Sequence, residues 1–215
     1  MNITHLPIPL DTSHTSLDRS SGIHLSGIIN KLAIAQGIYS PSTSAPDDSR
    51  HFRRCIGLAW EDWLAPRLLH TYPTFEYHMG EICVDGVYMH PDGIHFEDDG
   101  AIVLHEIKAT YYSTKQLLKP LEKLIVWFWQ GMGYLYGLTQ HTGQRCTRAI
   151  YHPAFLCGDY STMNPLYRPF QCDFTWEEIT AFWQVVLANK HLAAPESYSP
   201  GVSGVQSISS GGVGE

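Results

Sequence analysis

The stretch His90-Pro91-Asp92-Gly93-Ile94, followed by Val103-Leu104-His105-Glu106-Ile107-Lys108, decides how the rest of the chain is read. Between the two lies Glu97-Asp98-Asp99-Gly100, a turn signal flanked by alternating or apolar residues, which predicts a β-hairpin. Successive side chains on a strand point to opposite faces, so Glu106 and Lys108 share one face and Ile107 points into the core. A Pro-Asp at the start of one strand then meets a Glu-x-Lys on its neighbour, which puts two carboxylates and one ammonium in a small patch of sheet. Burying such charges is costly unless they are paired or bind metal. Converging carboxylates repel, and a hard divalent cation resolves the repulsion. Mg²⁺ prefers a few carboxylate oxygens together with waters and phosphate oxygens. Lys108 would lie beside the ion's water, orienting it and offsetting charge in a phosphoryl-type transition state. The competing reading is a surface hairpin with a chance Glu–Lys pair worth under about 1 kcal/mol.

At 215 residues and 44% apolar content, the chain can bury a full core as one domain with tails. No apolar run reaches bilayer length and the N-terminus lacks a basic-then-apolar signal pattern, which predicts a soluble, cytoplasmic protein. The five cysteines Cys55, Cys83, Cys146, Cys157 and Cys172 are an odd number without a CxxC pair. Reduced and mostly buried thiols are expected, rather than disulfides or a structural zinc site. The net charge of -7 argues at first against a nucleic-acid partner. Its distribution reverses the argument. Residues 73–108 are acidic with Lys108 as their single base, whereas residues 109–150 carry Lys115, Lys119, Lys123, Arg145 and Arg148 against Glu122 alone. An acidic sheet that collects metal, beside a basic segment that meets phosphates, suits a nucleic-acid enzyme.

Residues 1–49 read as an N-terminal extension, with a short helix from Leu25 to Gln36 packed on the core and a linker from Ser40 to Asp48. From Arg50 to His70, Phe52, Ile56, Trp60, Trp63, Leu64 and Leu68 recur at helical spacing, and Pro66 is expected to kink this helix or break it near Ala65. Glu61 lies two turns from Arg53 and Arg54 and one turn from Gly57. Taken alone it reads as an exposed helix acid. Gly57 costs roughly 1 kcal/mol against alanine in mid-helix and permits close approach of a backbone or ligand. Strands are predicted at 75–84, 87–90, 93–96 and 101–109. They carry His78, His90, His95 and His105, each read as a packed or solvated residue in preference to a ligand. A helix from Lys119 to Gly137 puts Leu121, Leu124, Ile125, Phe128, Met132 and Leu135 in the core. Its second stripe, Lys119, Lys123, Trp127, Gln130 and Tyr134, suits phosphates and stacked bases, although Trp127 reads better as packing. A strand at 145–156, an irregular connection at 157–173, and a helix opened by the Thr175-Trp176-Glu177-Glu178 capping box complete a domain over residues 50–194. A Ser/Gly-rich tail at 195–215 is expected to be disordered.

A helix with Gly57-x-x-x-Glu61, strands with Pro91-Asp92 and Glu106-Ile107-Lys108, and a helix with Gln130-Gly131-Met132-Gly133-Tyr134 follow one another in order. This order resembles the PD-(D/E)XK nuclease superfamily, in its RecB-like and lambda-exonuclease (YqaJ-type viral recombinase) branch, over about residues 50–156. The resemblance implies an α/β (α+β) fold with a restriction-endonuclease-like core, a mixed central sheet flanked by helices. It also implies Mg²⁺- or Mn²⁺-dependent hydrolysis of DNA phosphodiester bonds. Asp92 and Glu106 would ligate the ion with the Ile107 carbonyl, Lys108 would position or activate water, and Glu61 would support the metal shell. Gln130 and Tyr134 would contact DNA, and the basic residues Lys119, Lys123, Arg53 and Arg54 are read as DNA-binding. An exonuclease or end-processing enzyme of phage or mobile-element recombination or repair is the leading expectation, in host cytoplasm if viral. A single-strand annealing or other recombination protein would be its partner, or further copies of the chain in a homo-oligomer. A structure- or sequence-specific endonuclease, a non-cleaving DNA-binding module, and a metalloenzyme using His90, His95 and Asp92 remain alternatives. The wide spacing of the cysteines departs from the iron–sulfur members of the branch, and no cluster is expected.

Overall fold

The computed structural model describes residues 21–39, 47–115, 124–161 and 164–193, with side chains from residue 52 onward in the second stretch. The N-terminal twenty residues, most of the predicted linker, the tail, and Lys119, Leu121 and Lys123 lie outside the described residues. The elements run β1 (Ile23–His24), α1 (Leu25–Ala35), α2 (Asp47–Thr71), β2 (Glu76–Tyr77), β3 (Ile82–Val84), β4 (Val87–Met89), β5 (Gly93–Phe96) and β6 (Ile102–Thr110). They continue with α3 (Ile125–Thr142), β7 (Arg148–Phe155), β8 (Leu166–Tyr167), β9 (Phe170–Asp173) and α4 (Trp176–Ala188), and end on a 3₁₀ turn at Lys190–Ala193.

The central sheet has the order β2-β5-β6-β7-β8, with β9 also paired to β7. Strands β6 and β7 run parallel and their neighbours antiparallel, so the sheet is mixed. A smaller sheet, β1-β4-β3, stands beside it. The β5–β6 hairpin forms as predicted: Gly100 donates to the Glu97 carbonyl at 2.8 Å and takes a φ of 82°. Helices α1, α3 and α4 bury continuous apolar stripes rather than isolated contacts, with Leu25, Ile28, Leu104, Leu135, Tyr151 and Trp183 all inside one core. Each such side chain stabilises the fold by roughly 1.5–3 kcal/mol. A second cluster packs Leu64, Ala65 and Leu68 of α2 on Phe75 and Ile107. The capping box of α4 closes in both directions, Glu178 N–H to Thr175 Oγ1 at 3.2 Å and Thr175 N–H to Glu178 Oε2 at 2.8 Å.

Several expectations need correction. Helix α2 starts at Asp47, inside the predicted linker, and runs unbroken through Pro66. Proline removes the hydrogen bond to the Asp62 carbonyl, but Asp62 and Pro66 are both exposed, so water can serve that carbonyl. Phe52 and Trp63 of the predicted apolar face are exposed at 57% and 48%. The predicted strand 75–84 is split, because His78 (φ 53°) and Gly80 (φ 97°) turn the chain and send β2 and β3 into different sheets. The connection at 157–173 carries β8 and β9, too short to show a period. Of the five thiols only Cys146 is buried, while Cys55 and Cys83 are exposed.

Helix α3 approaches β7 closely at Gly131, where an added Cβ would lie 2.1 Å from the Tyr151 hydroxyl oxygen. Tyr151 is fully buried and donates to the Trp127 carbonyl at 3.2 Å, so it has little room to retreat. Gly131→Ala is expected to lower stability by about 1–3 kcal/mol despite alanine's helix preference. At Gly57 nothing lies within 4 Å of an added Cβ. Gly57→Ala should therefore be neutral or stabilising by up to about 1 kcal/mol. Urea unfolding of both variants is the measurement, and a Gly131→Ala protein as stable as wild type contradicts the packing argument.

Candidate active site

Strand β6 carries Glu106 and Lys108 two residues apart, and alternation puts both on one face while Ile107 packs under α2. The Lys108 ammonium donates to Glu106 Oε1. Asp92, just before β5, is tied to the same strand: the Ile107 N–H donates to Asp92 Oδ2 at 2.7 Å. Antiparallel pairing of Gly93 with His105 fixes that approach. An open pocket of about 270 Å³ is lined by Asp92, Lys108, Glu61, Gly57, Arg54, Gln130 and Tyr134, with Ser26, Leu58, His78 and His90 on its walls. The middle turns of α2 bring Arg54, Gly57 and Glu61, and α3 brings Gln130 and Tyr134, whose side chains are joined by a 2.8 Å hydrogen bond from Gln130 Nε2 to Tyr134 Oη.

The structure thus gathers most residues singled out in the sequence. Glu61 is not an exposed acid; it faces the pocket and is half-buried. The α3 stripe is only partly open, since Trp127 and Tyr134 are 8% and 5% exposed. Arg53 lies away from the pocket, its guanidinium 5.8 Å from the Tyr111 ring centre beside a neighbouring cleft. His95 lines another cleft, away from Asp92 and His90, so the metalloenzyme alternative using His90, His95 and Asp92 has no common site.

The carboxyls are crowded. Burial, then the neighbouring Asp92, pushes Glu106 up to about 8 against the pull of Lys108. Burial, then Asp92, pushes Glu61 up to about 7. Burial also raises Asp92, opposed by Lys108 and the Ile107 N–H. Burial works against the Lys108 ammonium, but Glu106 and Asp92 outweigh it and hold its pKa above the ordinary value. Three acids held reluctant to ionise describe a site short of positive charge. Among the described residues, Glu106 Oε2 is one of two buried side-chain polar atoms with no hydrogen-bond partner, the other being the Tyr77 hydroxyl. An all-oxygen donor set with an orphaned carboxylate oxygen fits a hard divalent cation such as Mg²⁺ or Mn²⁺.

Sequence reasoning missed a buried chain on the other face of β6. His95 Nδ1 meets His105 Nε2 at 2.6 Å, His105 Nδ1 meets His152 Nε2 at 2.8 Å, and His152 Nδ1 meets the Tyr167 hydroxyl at 2.7 Å. Burial and the neighbouring imidazoles lower His105 to about 2, and burial lowers His152 to about 4. His152 joins the others only through the parallel β6–β7 pairing, which no local pattern announces.

No protein-family signature and no curated protein matches the chain. Among solved structures it is similar to a phage-related exonuclease from Haemophilus somnus 129PT, at 9% identity and TM-score 0.47, over 78% of this chain and 80% of that one. It is also similar to an alkaline exonuclease from Laribacter hongkongensis, at 15% identity and TM-score 0.39, over 78% of this chain and 87% of that one. Likenesses this loose leave the chemistry to be read from the side chains. No helix among the described residues is long and apolar enough to cross a membrane.

Proposed function

We propose that this chain is a metal-dependent nuclease of the PD-(D/E)XK type that hydrolyses DNA phosphodiester bonds, acting as an exonuclease or end-processing enzyme. The observation that carries the reading is Glu106, fully buried with one oxygen on Lys108 and the other unpartnered, beside Asp92 on the pocket wall. A purely structural ion pair has no use for a second carboxylate or for an opening to solvent.

Asp92 and Glu106 would hold the ion, with Glu61 supporting its shell. When bound, the ion supplies positive charge to the scissile phosphate and makes water easier to deprotonate. Lys108 orients the attacking water and offsets developing negative charge on the phosphoryl oxygens. Arg54, exposed at the pocket mouth, and Gln130 give charge and hydrogen bonds to the DNA backbone. Water attacks phosphorus and yields one proton to solvent, the P–O bond to the leaving oxygen breaks, and a proton from solvent completes the new hydroxyl.

Release of nucleotides from end-labelled linear duplex with Mg²⁺, abolished by EDTA, is the expected result. A closed circle should stay intact; its cutting would mean an endonuclease. Binding of DNA without cleavage of either substrate would point to a non-cleaving module and overturn the proposal.

Mg²⁺ should also raise the melting temperature, and more at pH 8 than at pH 6. Glu61 and Glu106 hold protons up to about 7 and 8 in the metal-free site, and the ion must displace them. An equal Mg²⁺ shift at both pH values would count against carboxylate ligation.

A further inference from the structure

A second, chemically different donor set stands at the edge of the small sheet. His24 closes β1, Glu81 precedes β3 and His90 follows β4. The β1–β4 register pairs His24 with Tyr88, two residues before His90 and therefore on its face. The β3–β4 register pairs Ile82 with Met89, and one step further it sets Glu81 opposite His90. All three side chains consequently converge. His24 Nδ1 or Nε2, a Glu81 carboxylate oxygen and a His90 ring nitrogen lie within 4.8 Å of one another. Glu81 Oε1 is 2.7 Å from His90 Nε2 and 3.9 Å from His24 Nδ1. The two imidazoles are near-parallel at 15°, and all three side chains are shielded, at 17–20% exposure.

We infer that His24, Glu81 and His90 form a binding site for a borderline divalent transition metal of the Zn²⁺ kind, distinct from the oxygen-only site at Asp92 and Glu106. Donors bound at 2.0–2.2 Å in tetrahedral geometry stand about 3.3–3.5 Å apart. The separations of Glu81 Oε1 from the two imidazoles, 2.7 and 3.9 Å, bracket that spacing, and with all three donors within 4.8 Å of one another side-chain shifts of up to about an ångström close the site. Two imidazoles with one carboxylate favour Zn²⁺ over Mg²⁺, which demands oxygen and keeps its waters. Three protein ligands leave a fourth position for water. The ion would fasten β1, and with it the start of α1, to the β3–β4 hairpin. His90 also lines the pocket that holds Asp92, so the clamp fixes one wall of the candidate active site.

The inference does not depend on cleavage, and its test reads metal alone. The metal-stripped full chain would be titrated with Zn²⁺ against a chromophoric chelator, with Mg²⁺ in large excess. One Zn²⁺ per chain should bind, survive Asp92→Asn, and weaken roughly tenfold or more in His24→Ala and in His90→Ala. Unchanged Zn²⁺ binding in both histidine variants overturns the site, and loss in Asp92→Asn assigns the ion to the carboxylates instead. Should the histidine variants fail to fold, Co²⁺ in the wild-type chain decides. A strong visible absorption supports a four-coordinate nitrogen–oxygen site, and the weak spectrum of six-coordinate cobalt refutes it.

Discussion

Lys108→Ala is expected to slow phosphodiester cleavage by roughly 10²–10⁴-fold while leaving DNA binding within a few-fold, because in the proposed mechanism the ammonium acts where charge develops and other groups hold the DNA. Glu106→Gln should fall at least as far if Glu106 holds the ion as proposed, since the amide carries no negative charge for a cation and replaces one carboxylate oxygen with a donor. Folding should survive the lysine change. Glu106 already holds its proton up to about 8, and losing Lys108 removes a pull toward ionisation, so it stays neutral and leaves no bare buried charge. Lys108→Arg separates charge from geometry: the planar guanidinium cannot occupy the place of a compact ammonium against Glu106 Oε1, and activity should not return. Single-turnover cleavage of labelled duplex, with binding followed by anisotropy, is the measurement. A Lys108→Ala enzyme within about threefold of wild type removes Lys108 from the mechanism.

The histidine chain predicts acid lability. Unfolded histidines take up protons near 6.5, whereas folded His152 stays neutral to about 4 and His105 to about 2. Between those values the unfolded state binds more protons, so stability rises with pH and is lost as pH falls below 6.5. His152 alone accounts for roughly 3 kcal/mol by pH 4. Glu61 and Glu106 act with the opposite sign in the metal-free chain, because they keep protons that unfolded glutamates release. The histidine contribution is therefore read as a difference. His152→Gln should be less stable than wild type at pH 7, having lost the His105 and Tyr167 contacts, yet lose less stability between pH 6.5 and 4. Parallel acid slopes in urea unfolding would show that the chain does not titrate as described.

What the sequence revealed was local. The Glu97–Gly100 turn, the alternation of Glu106, Ile107 and Lys108, and the capping box at Thr175 each depend on neighbours within a few residues. The convergence of Asp92 with that strand followed from the hairpin. Glu61 was harder, since a helix acid looks alike whether it faces solvent or a pocket, and packing of Leu64, Ala65 and Leu68 on Ile107 decides the rotation of α2. His152, Tyr167, and the meeting of His24 with Glu81 and His90 depend on strand pairings between distant segments, which periodicity cannot register. The split of β2 from β3 turns on positive φ at His78, a residue type that gives little warning of it.

Strand β6 is a partition with incompatible tenants. Its even residues, Leu104, Glu106 and Lys108, run from the main core to the candidate active site, and its odd residues, His105 and Ile107, meet imidazoles and the underside of α2. A slip of one residue against β5 or β7 would exchange the two sets. Glu106 and Lys108 would then meet Leu64 and Leu68, while Ile107 would fill the place of the acid. Such a molecule strands the Lys108 ammonium and the Glu106 carboxyl among apolar side chains without partners, so the chemistry of the strand polices its own alignment. Mistakes in folding are thereby removed as unstable chains rather than kept as well-folded molecules with a misplaced site.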